Sequence, residues 1–153
     1  MGIRYSRVLL GGLLAGLVIN LFEFVLNAIV LKDAWAETMR RLGITGEMTV
    51  TQIVLFDLWG FAMGILAVWT YAAIRPRFGS GPKAAGLAGL IMWAAGYALS
   101  LAPPVILHMF PKRLVAVVLA VGLVEIIVAT IAGSAVYKEE QVSATPRVRM
   151  AGA

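Results

Sequence analysis

Three carboxylic acids interrupt long apolar runs in this chain: Glu23, Asp57 and Glu125. A charged side chain near the centre of a membrane-spanning helix costs ~2.5–3.5 kcal/mol on insertion scales, so such residues usually have a function. The same runs contain no lysine or arginine that would neutralise the acids. The sequence therefore leaves two states possible for these three acids. The carboxyls are protonated and neutral, or they hold a cation, since carboxylate and amide oxygens bind hard metal ions.

Two asparagines accompany the first acid. At about 100° per residue, Asn20, Glu23 and Asn27 share one face of a helix. We predict an intramembrane polar cluster of Glu23, Glu125, Asn20, Asn27 and Asp57 that binds an ion, a proton or a substrate; the sequence leaves any metal undetermined. The alternative is structural: polar groups in a bundle often only hydrogen-bond a neighbour, for ~0.6 kcal/mol on average.

Enzyme chemistry has little support in the sequence. It contains no catalytic triad pattern, HExxH, P-loop or dinucleotide fingerprint, and it has no cysteine. The single histidine, His108, excludes bis-histidine haem within one chain; it is expected at the membrane interface, or as a further ligand of the cluster. Trp59, Trp69, Trp93 and Tyr97 are expected to be packing or interface residues. We therefore predict no catalytic residue and no cofactor.

The elements that position these residues follow from composition. Of 153 residues, 61% are hydrophobic and 14% are charged, which excludes a disordered chain and an ordinary soluble domain. A run of ~20 apolar residues crosses a ~30 Å hydrocarbon layer. We predict an all-α integral membrane four-helix bundle, with residues 1–153 as a single transmembrane domain. Its spans are residues 8–31, 53–74, 84–107 and 114–137.

Residues 138–153 are expected to form a flexible cytoplasmic tail. The first run has 24 residues, longer than the about 7–15 of a signal-peptide core, so we expect it to be retained as a span.

The distribution of lysine and arginine predicts the orientation. Eight lie on the side of both termini and five on the opposite side, so the positive-inside rule places both termini in the cytoplasm. Trp35, Met39 and Leu42 recur at helical spacing in the first outer loop and predict a short amphipathic helix at the interface. We expect a multi-pass protein of the bacterial inner membrane. The net charge of +5 points to anionic lipid headgroups at the cytoplasmic rim rather than to nucleic acid.

Small residues form a stripe on each span, on the same face as the polar residues. Helices in lipid associate where small residues allow close backbone approach. The stripes therefore predict one compact bundle, and the bundle can also assemble as a homo-oligomer or within a larger membrane complex. The predicted packing positions are Gly12, Gly16, Gly60, Gly64, Gly89, Gly96 and Gly133.

The layout resembles that of small bacterial four-helix membrane proteins of unknown function. The resemblance rests on Gly16 through Asn27, on Lys32-Asp-Ala-Trp35 and Leu42-Gly43 after the first span, and on Phe110-Pro-Lys-Arg113 before the last. It implies the four-helix fold but brings no activity and no site residues.

Three functions are consistent with the sequence. The first, which the sequence favours, is a non-enzymatic structural or accessory bundle. The second is a small transporter or a proton- or ion-conducting protein that uses Glu23 and Glu125. A membrane enzyme is the third and least supported. Glutamates within hydrogen-bond reach of each other around a polar cavity would favour the second, whereas dry packing against different neighbours would favour the first.

Overall fold

A computed structural model describes residues 3–137, and over that range the chain forms helices and no strands. The predicted tail, residues 138–153, lies outside the described residues. The helices are α1 (Tyr5–Glu23), α2 (Lys32–Arg41), α3 (Val50–Phe78), α4 (Pro82–Trp93), α5 (Ser100–Ile106) and α6 (Lys112–Val136). Two π-helical segments complete them: Phe24–Val30 continues α1, and Ala94–Leu99 joins α4 to α5.

Four helical stretches are long and apolar enough to cross a membrane, which confirms that prediction. They are span 1 (Tyr5–Val30), span 2 (Val50–Phe78), span 3 (Pro82–Ile106) and span 4 (Lys112–Val136). Successive spans run in opposite directions, so the bundle has two ends. We call them the Arg75 end, where the chain begins and span 4 finishes, and the Trp35 end, which carries α2.

Local signals set the bounds of α3. Thr49 caps its first turn in a reciprocal capping box with Gln52. The predicted second span ends at residue 74, but the helix continues through Pro76 to Phe78. A proline in the last turn removes one backbone hydrogen bond without stopping the preceding turns. The helix ends at Gly79, whose φ of +83° is easily adopted only by glycine.

Close backbone contacts hold span 1 against span 2 in the half of the bundle nearer the Arg75 end. A Cβ atom at Gly12 would lie 2.5 Å from the Cα of Ile65, and one at Gly16 would lie 2.7 Å from the Cα of Phe61. Gly64 in turn lies directly against the backbone of Gly12 and Gly16. These helices therefore touch without intervening side chains.

Span 4 packs against spans 1 and 3 in a similar way. A Cβ atom at Gly133 would lie 2.5 Å from the carbonyl oxygen of Gly11, a glycine that the sequence analysis did not single out. One at Gly89 would lie 3.0 Å from the Cα of Ile127. Span 4 therefore lies in close contact with the helices on both of its sides.

Aromatic and charged groups close the Arg75 end. The Tyr71 and Tyr137 rings meet edge to face with centroids 6.0 Å apart, and the Arg75 guanidinium lies 5.7 Å from the Tyr137 centroid. The Tyr137 hydroxyl accepts a hydrogen bond from the backbone N–H of Arg4 at 3.3 Å. The first and last described turns are thereby joined.

The Trp35 end is more open. Every residue from Val50 to Trp59, the first ten of α3, is exposed. Helix α2 crosses this end with Trp35 and Met39 half-buried and Thr38 buried. The short helix predicted in this loop is therefore present, whereas its place at a membrane interface stays a prediction.

Candidate functional site

Glu125 is the most deeply buried acid among the described residues. It lies near the middle of α6 with 0% of its surface exposed. Its Oε1 accepts a hydrogen bond from the Tyr97 hydroxyl at 2.9 Å, whereas its Oε2 is buried without any hydrogen-bond partner. A buried polar atom without a partner is rare and often marks an unseen ligand, proton or water.

Tyr97 reaches Glu125 because a glycine makes room for its ring. A Cβ atom at Gly122, one turn before Glu125, would lie 2.7 Å from two carbons of the Tyr97 ring. The neighbouring Gly96 accommodates the Met63 side chain, since a Cβ atom there would lie 2.6 Å from the Met63 Cε. Tyr97 is 4% exposed and lies in the second π-helical segment.

Glu23 approaches the same hydroxyl from span 1. Its Oε1 lies 3.3 Å from the Tyr97 hydroxyl oxygen. Its Oε2 accepts a hydrogen bond from the Asn27 amide. Glu23 is the last residue of α1 and Asn27 lies in the π-helical segment that follows. Such segments are rare and often occur at functional sites. Here each of the two π-helical segments contributes one residue, Asn27 or Tyr97, to the same cluster.

Trp35 extends the cluster to the helix that crosses the Trp35 end. Its indole Nε1–H donates to the Asn27 Oδ1 at 2.8 Å. The ring also meets Phe110 edge to face, with centroids 5.5 Å apart. Residues from the two loops at this end therefore meet above Glu23. We use the term carboxyl–tyrosine cluster for Glu23, Asn27, Tyr97 and Glu125.

The structure does not bring the other two predicted members into this cluster. Asn20 lies at the contact between spans 1 and 2, where its amide donates to the Asp57 carbonyl oxygen at 3.1 Å. Its Oδ1 occupies the position that a Cβ atom of Gly60 would need. The Asp57 side chain is exposed. Asn20 is thus occupied at the contact between spans 1 and 2, so sharing a helical face with Glu23 does not bring it to the cluster.

His108 has a structural role in place of a ligand role. It is exposed and has a φ of +56° at the end of α5. Its N–H donates to the Val105 carbonyl, and the Met109 N–H donates to that of Pro104. This is the pattern of a helix C-cap with a left-handed residue. Residues 3–137 contain no group of three or more histidines, cysteines or acids that could hold a metal ion.

The cluster has the composition of a proton-binding site. The Tyr97 hydroxyl has one proton and donates it to Glu125 at the shorter distance. Its contact with Glu23 becomes a full hydrogen bond when Glu23 is protonated and donates to the tyrosine oxygen. Two ionised carboxyls on one hydroxyl would repel each other, and no lysine or arginine lies in the four apolar runs. The geometry therefore fits a pair of carboxyls that shares a proton.

Sequence reasoning missed two members of this arrangement. It treated Tyr97 as a packing residue, although Tyr97 falls on the small and polar stripe of its span. It placed Trp35 on an amphipathic helix without a polar partner. A hydroxyl-bearing aromatic residue within a stripe of glycines was the available signal.

Comparisons with known proteins give no identification, since no family model, no curated protein and no solved structure matches the chain.

Proposed function

We propose that this multi-pass protein binds and releases protons at the carboxyl–tyrosine cluster, as a small proton-coupled transporter or proton-conducting protein. The observation that carries this proposal is the Tyr97 hydroxyl between the carboxyls of Glu23 and Glu125. A purely structural hydrogen bond would need one carboxyl and one donor. Here two carboxyls from spans 1 and 4 converge on one donor, and the buried Oε2 of Glu125 has no partner.

A proton suits this cluster better than a bulky substrate. A groove of about 480 Å³ lies between spans 1 and 2 and is almost entirely apolar. It contains no member of the cluster. Its lining residues are Tyr5, Val8, Leu9, Ile65, Leu66 and Trp69. The carboxyls instead lie among packed side chains, where a proton needs no additional volume.

Infrared difference spectroscopy on the reconstituted protein tests the proposal. A protonated carboxyl and a carboxylate absorb at different frequencies, so a pH change gives a band for each titrating acid. We expect Glu23→Gln and Glu125→Gln each to abolish or shift the band of the cluster. The matched control is Asp57→Asn, which removes an acid of span 2 that lies outside the cluster.

Proton movement into liposomes provides the functional readout. The two glutamine variants should lose pH-driven proton uptake while retaining the helical content and monodispersity of the wild type. Wild-type uptake in the Glu23→Gln, Glu125→Gln double variant would contradict the proposal.

The orientation and location belong to the same proposal. With both termini in the cytoplasm, the Arg75 end faces anionic headgroups of the bacterial inner membrane, and α2 lies at the outer interface. The count of eight against five basic residues supports this assignment. Glu23 and Asn27 then lie in the outer half of the membrane.

A second function is favoured by a different observation. The exposed first turns of α3 carry Asp57 at the level of Asn20, one helical turn deeper than Glu23. An acid exposed at that depth is costly in lipid and would be sheltered by another protein. An accessory subunit of a larger membrane complex, or a homo-oligomer, would meet this need.

Native gel electrophoresis of gently solubilised membranes tests this second function. An assembled subunit should migrate as a particle larger than the purified chain, and Phe56→Ala combined with Asp57→Asn should reduce that size. Leu90→Ala, at a comparably exposed position of span 3, is the matched control. Migration at the size of the single chain would contradict the proposal.

A further inference from the structure

A continuous series of hydrogen-bonding groups leads from Trp35 down to Glu125. The indole N–H of Trp35 can only donate, so the Asn27 atom facing it must be the amide oxygen. The amide nitrogen of Asn27 therefore faces Glu23 and donates to Oε2. This leaves Oε1 of Glu23, the oxygen nearest Tyr97, as the position for a proton.

The same geometry provides a relay in which atoms balance. Glu23 is half-buried and takes its proton from water at the Trp35 end, while Trp35 and Asn27 only hold its carboxyl in position. A proton on Glu23 Oε1 passes to the Tyr97 oxygen, while the hydroxyl proton of Tyr97 passes to Glu125 Oε1. One O–H bond breaks and one forms at each step, and the negative charge moves from Glu125 to Glu23. The two oxygen–oxygen distances, 3.3 and 2.9 Å, place all three groups in series.

Towards the Arg75 end the series stops. Ile126 and Ala129 in the next turn of α6 and Ile19 of α1 are 0% exposed. The two buried hydroxyls of α6 in that direction, Thr130 and Ser134, donate to carbonyl oxygens of their own helix, those of Ile126 and Ile131. The protons of these two hydroxyls are therefore held in hydrogen bonds to the backbone, and the packing between them and Glu125 is apolar.

Other charged groups lie away from the series. On α2, Glu37 forms ion pairs with Arg40 and Arg41 on the exposed side of that helix. On α3, the nearest acid is the exposed Asp57, and Lys32 at the start of α2 is also exposed. The titratable groups facing one another are therefore Glu23 from span 1, Tyr97 from span 3 and Glu125 from span 4.

We infer that the cluster exchanges protons only with the Trp35 end in this conformation, so the protein is a carrier with one-sided access rather than a continuous proton channel. This inference rests on the proposed proton binding. Trp35 is its positioning residue, because it fixes the orientation of the Asn27 amide. Transfer to the opposite side then requires a second conformation in which the apolar packing around Ile126 and Ala129 opens.

Sided pH changes test the inference. The full chain is reconstituted into phosphatidylcholine vesicles held on an infrared internal-reflection crystal, and the external buffer is exchanged between two pH values. The chain has no native cysteine, so a Thr45→Cys variant labelled by an impermeant reagent measures the fraction with the Trp35 end outward. The carboxyl band should respond in proportion to that fraction. A protonophore, which brings the vesicle interior to the external pH, should then produce the remaining part of the carboxyl-band response.

Two variants probe the direction of access. Asn27→Leu should slow the external response at least tenfold, whereas Thr130→Val, the matched removal of a polar group on the other side, should leave the rate unchanged. A full response without protonophore in a mixed population, or slowing by Thr130→Val alone, would overturn one-sided access. A wild type without any pH-dependent carboxyl band would instead overturn proton binding itself, and the one-sided access with it.

Discussion

The two halves of the bundle are held together by different means. In the Arg75 half, glycines bring helix backbones into direct contact, as at Gly64 against Gly12 and Gly16. In the Trp35 half, side-chain hydrogen bonds connect the spans: Tyr97 bonds Glu23 and Glu125, and Asn20 bonds the Asp57 carbonyl. Backbone contact of this kind has one close-packed arrangement. Hydrogen bonds between ionisable groups can instead change when a proton arrives, so the second half is suited to respond.

Backbone geometry follows the same division. Both π-helical segments lie in the Trp35 half, and each contains a residue of the cluster: Asn27 in Phe24–Val30 and Tyr97 in Ala94–Leu99. The first ten residues of α3 are exposed there as well. Regions with few packed contacts open at low free-energy cost and are the ones from which functional elements are drawn. The rigid half therefore suits a scaffold, and the loose half holds the ionisable groups of the proposed proton site.

The largest expected effect tests the rigidity of the Arg75 half. Replacing Gly64 by Leu inserts a side chain where the backbones of Gly12 and Gly16 lie, and overpacking of this kind costs about 3 kcal/mol or more. We expect loss of the monodisperse folded protein in detergent and a strongly lowered thermal midpoint. Gly86→Leu is the matched control, because a Cβ atom there meets nothing within 4 Å. Equal stability of the two variants would contradict the comparison.

A smaller effect is expected at the centre of the Trp35 half. Tyr97→Phe keeps the ring against Gly122 but removes the donor shared by Glu23 and Glu125. Hydrogen bonds within membrane proteins contribute ~0.6 kcal/mol on average and at most ~1.7, and we expect a loss of about 1–2 kcal/mol because two carboxyls are affected. Thermal unfolding measures it. Tyr71→Phe, which removes a single 3.3 Å contact with the Gly81 N–H, should cost less.

The rigid half was largely predictable from the sequence. Apolar run lengths give four spans, and glycines at helical spacing, such as Gly12 and Gly16, mark faces on which backbones can approach. These signals are local, because a glycine permits close approach whatever its partner. Gly11 was not predicted as a packing position because no second glycine lies four residues away on its own face of span 1.

The cluster was only partly predictable. Glu23, Asn27 and Glu125 are conspicuous as polar residues in apolar runs. Assigning Asn20 and Asp57 to the same site assumed that residues on one helical face share one set of neighbours, whereas Asn20 bonds the Asp57 backbone at the contact between spans 1 and 2. The first π-helical segment, Phe24–Val30, contains no proline or glycine from which it could have been predicted. Its position depends on contacts between distant parts of the chain.

A third prediction concerns the link between α2 and the cluster. Trp35→Phe retains an aromatic ring against Phe110 but removes the N–H that binds Asn27. We expect a stability loss of only about 0.6 kcal/mol, together with a changed infrared band of Glu23, because the Asn27 amide is free to turn. Trp69→Phe, on the apolar groove, should leave that band unchanged. An unaltered Glu23 band in Trp35→Phe would show that α2 does not position the cluster.

The smallest effect on stability is expected at Asp57. Measuring it distinguishes a role of Asp57 in this chain's own stability from a role in assembly with other proteins. The side chain is exposed, and exposed substitutions usually change stability by less than about 0.5 kcal/mol. Asp57→Asn should therefore leave the thermal midpoint of the purified protein within that margin of the wild type. A loss as large as that of Tyr97→Phe would mean that Asp57 is held by this chain. The first turns of α3 would then be part of this chain's own packing rather than a surface for another subunit.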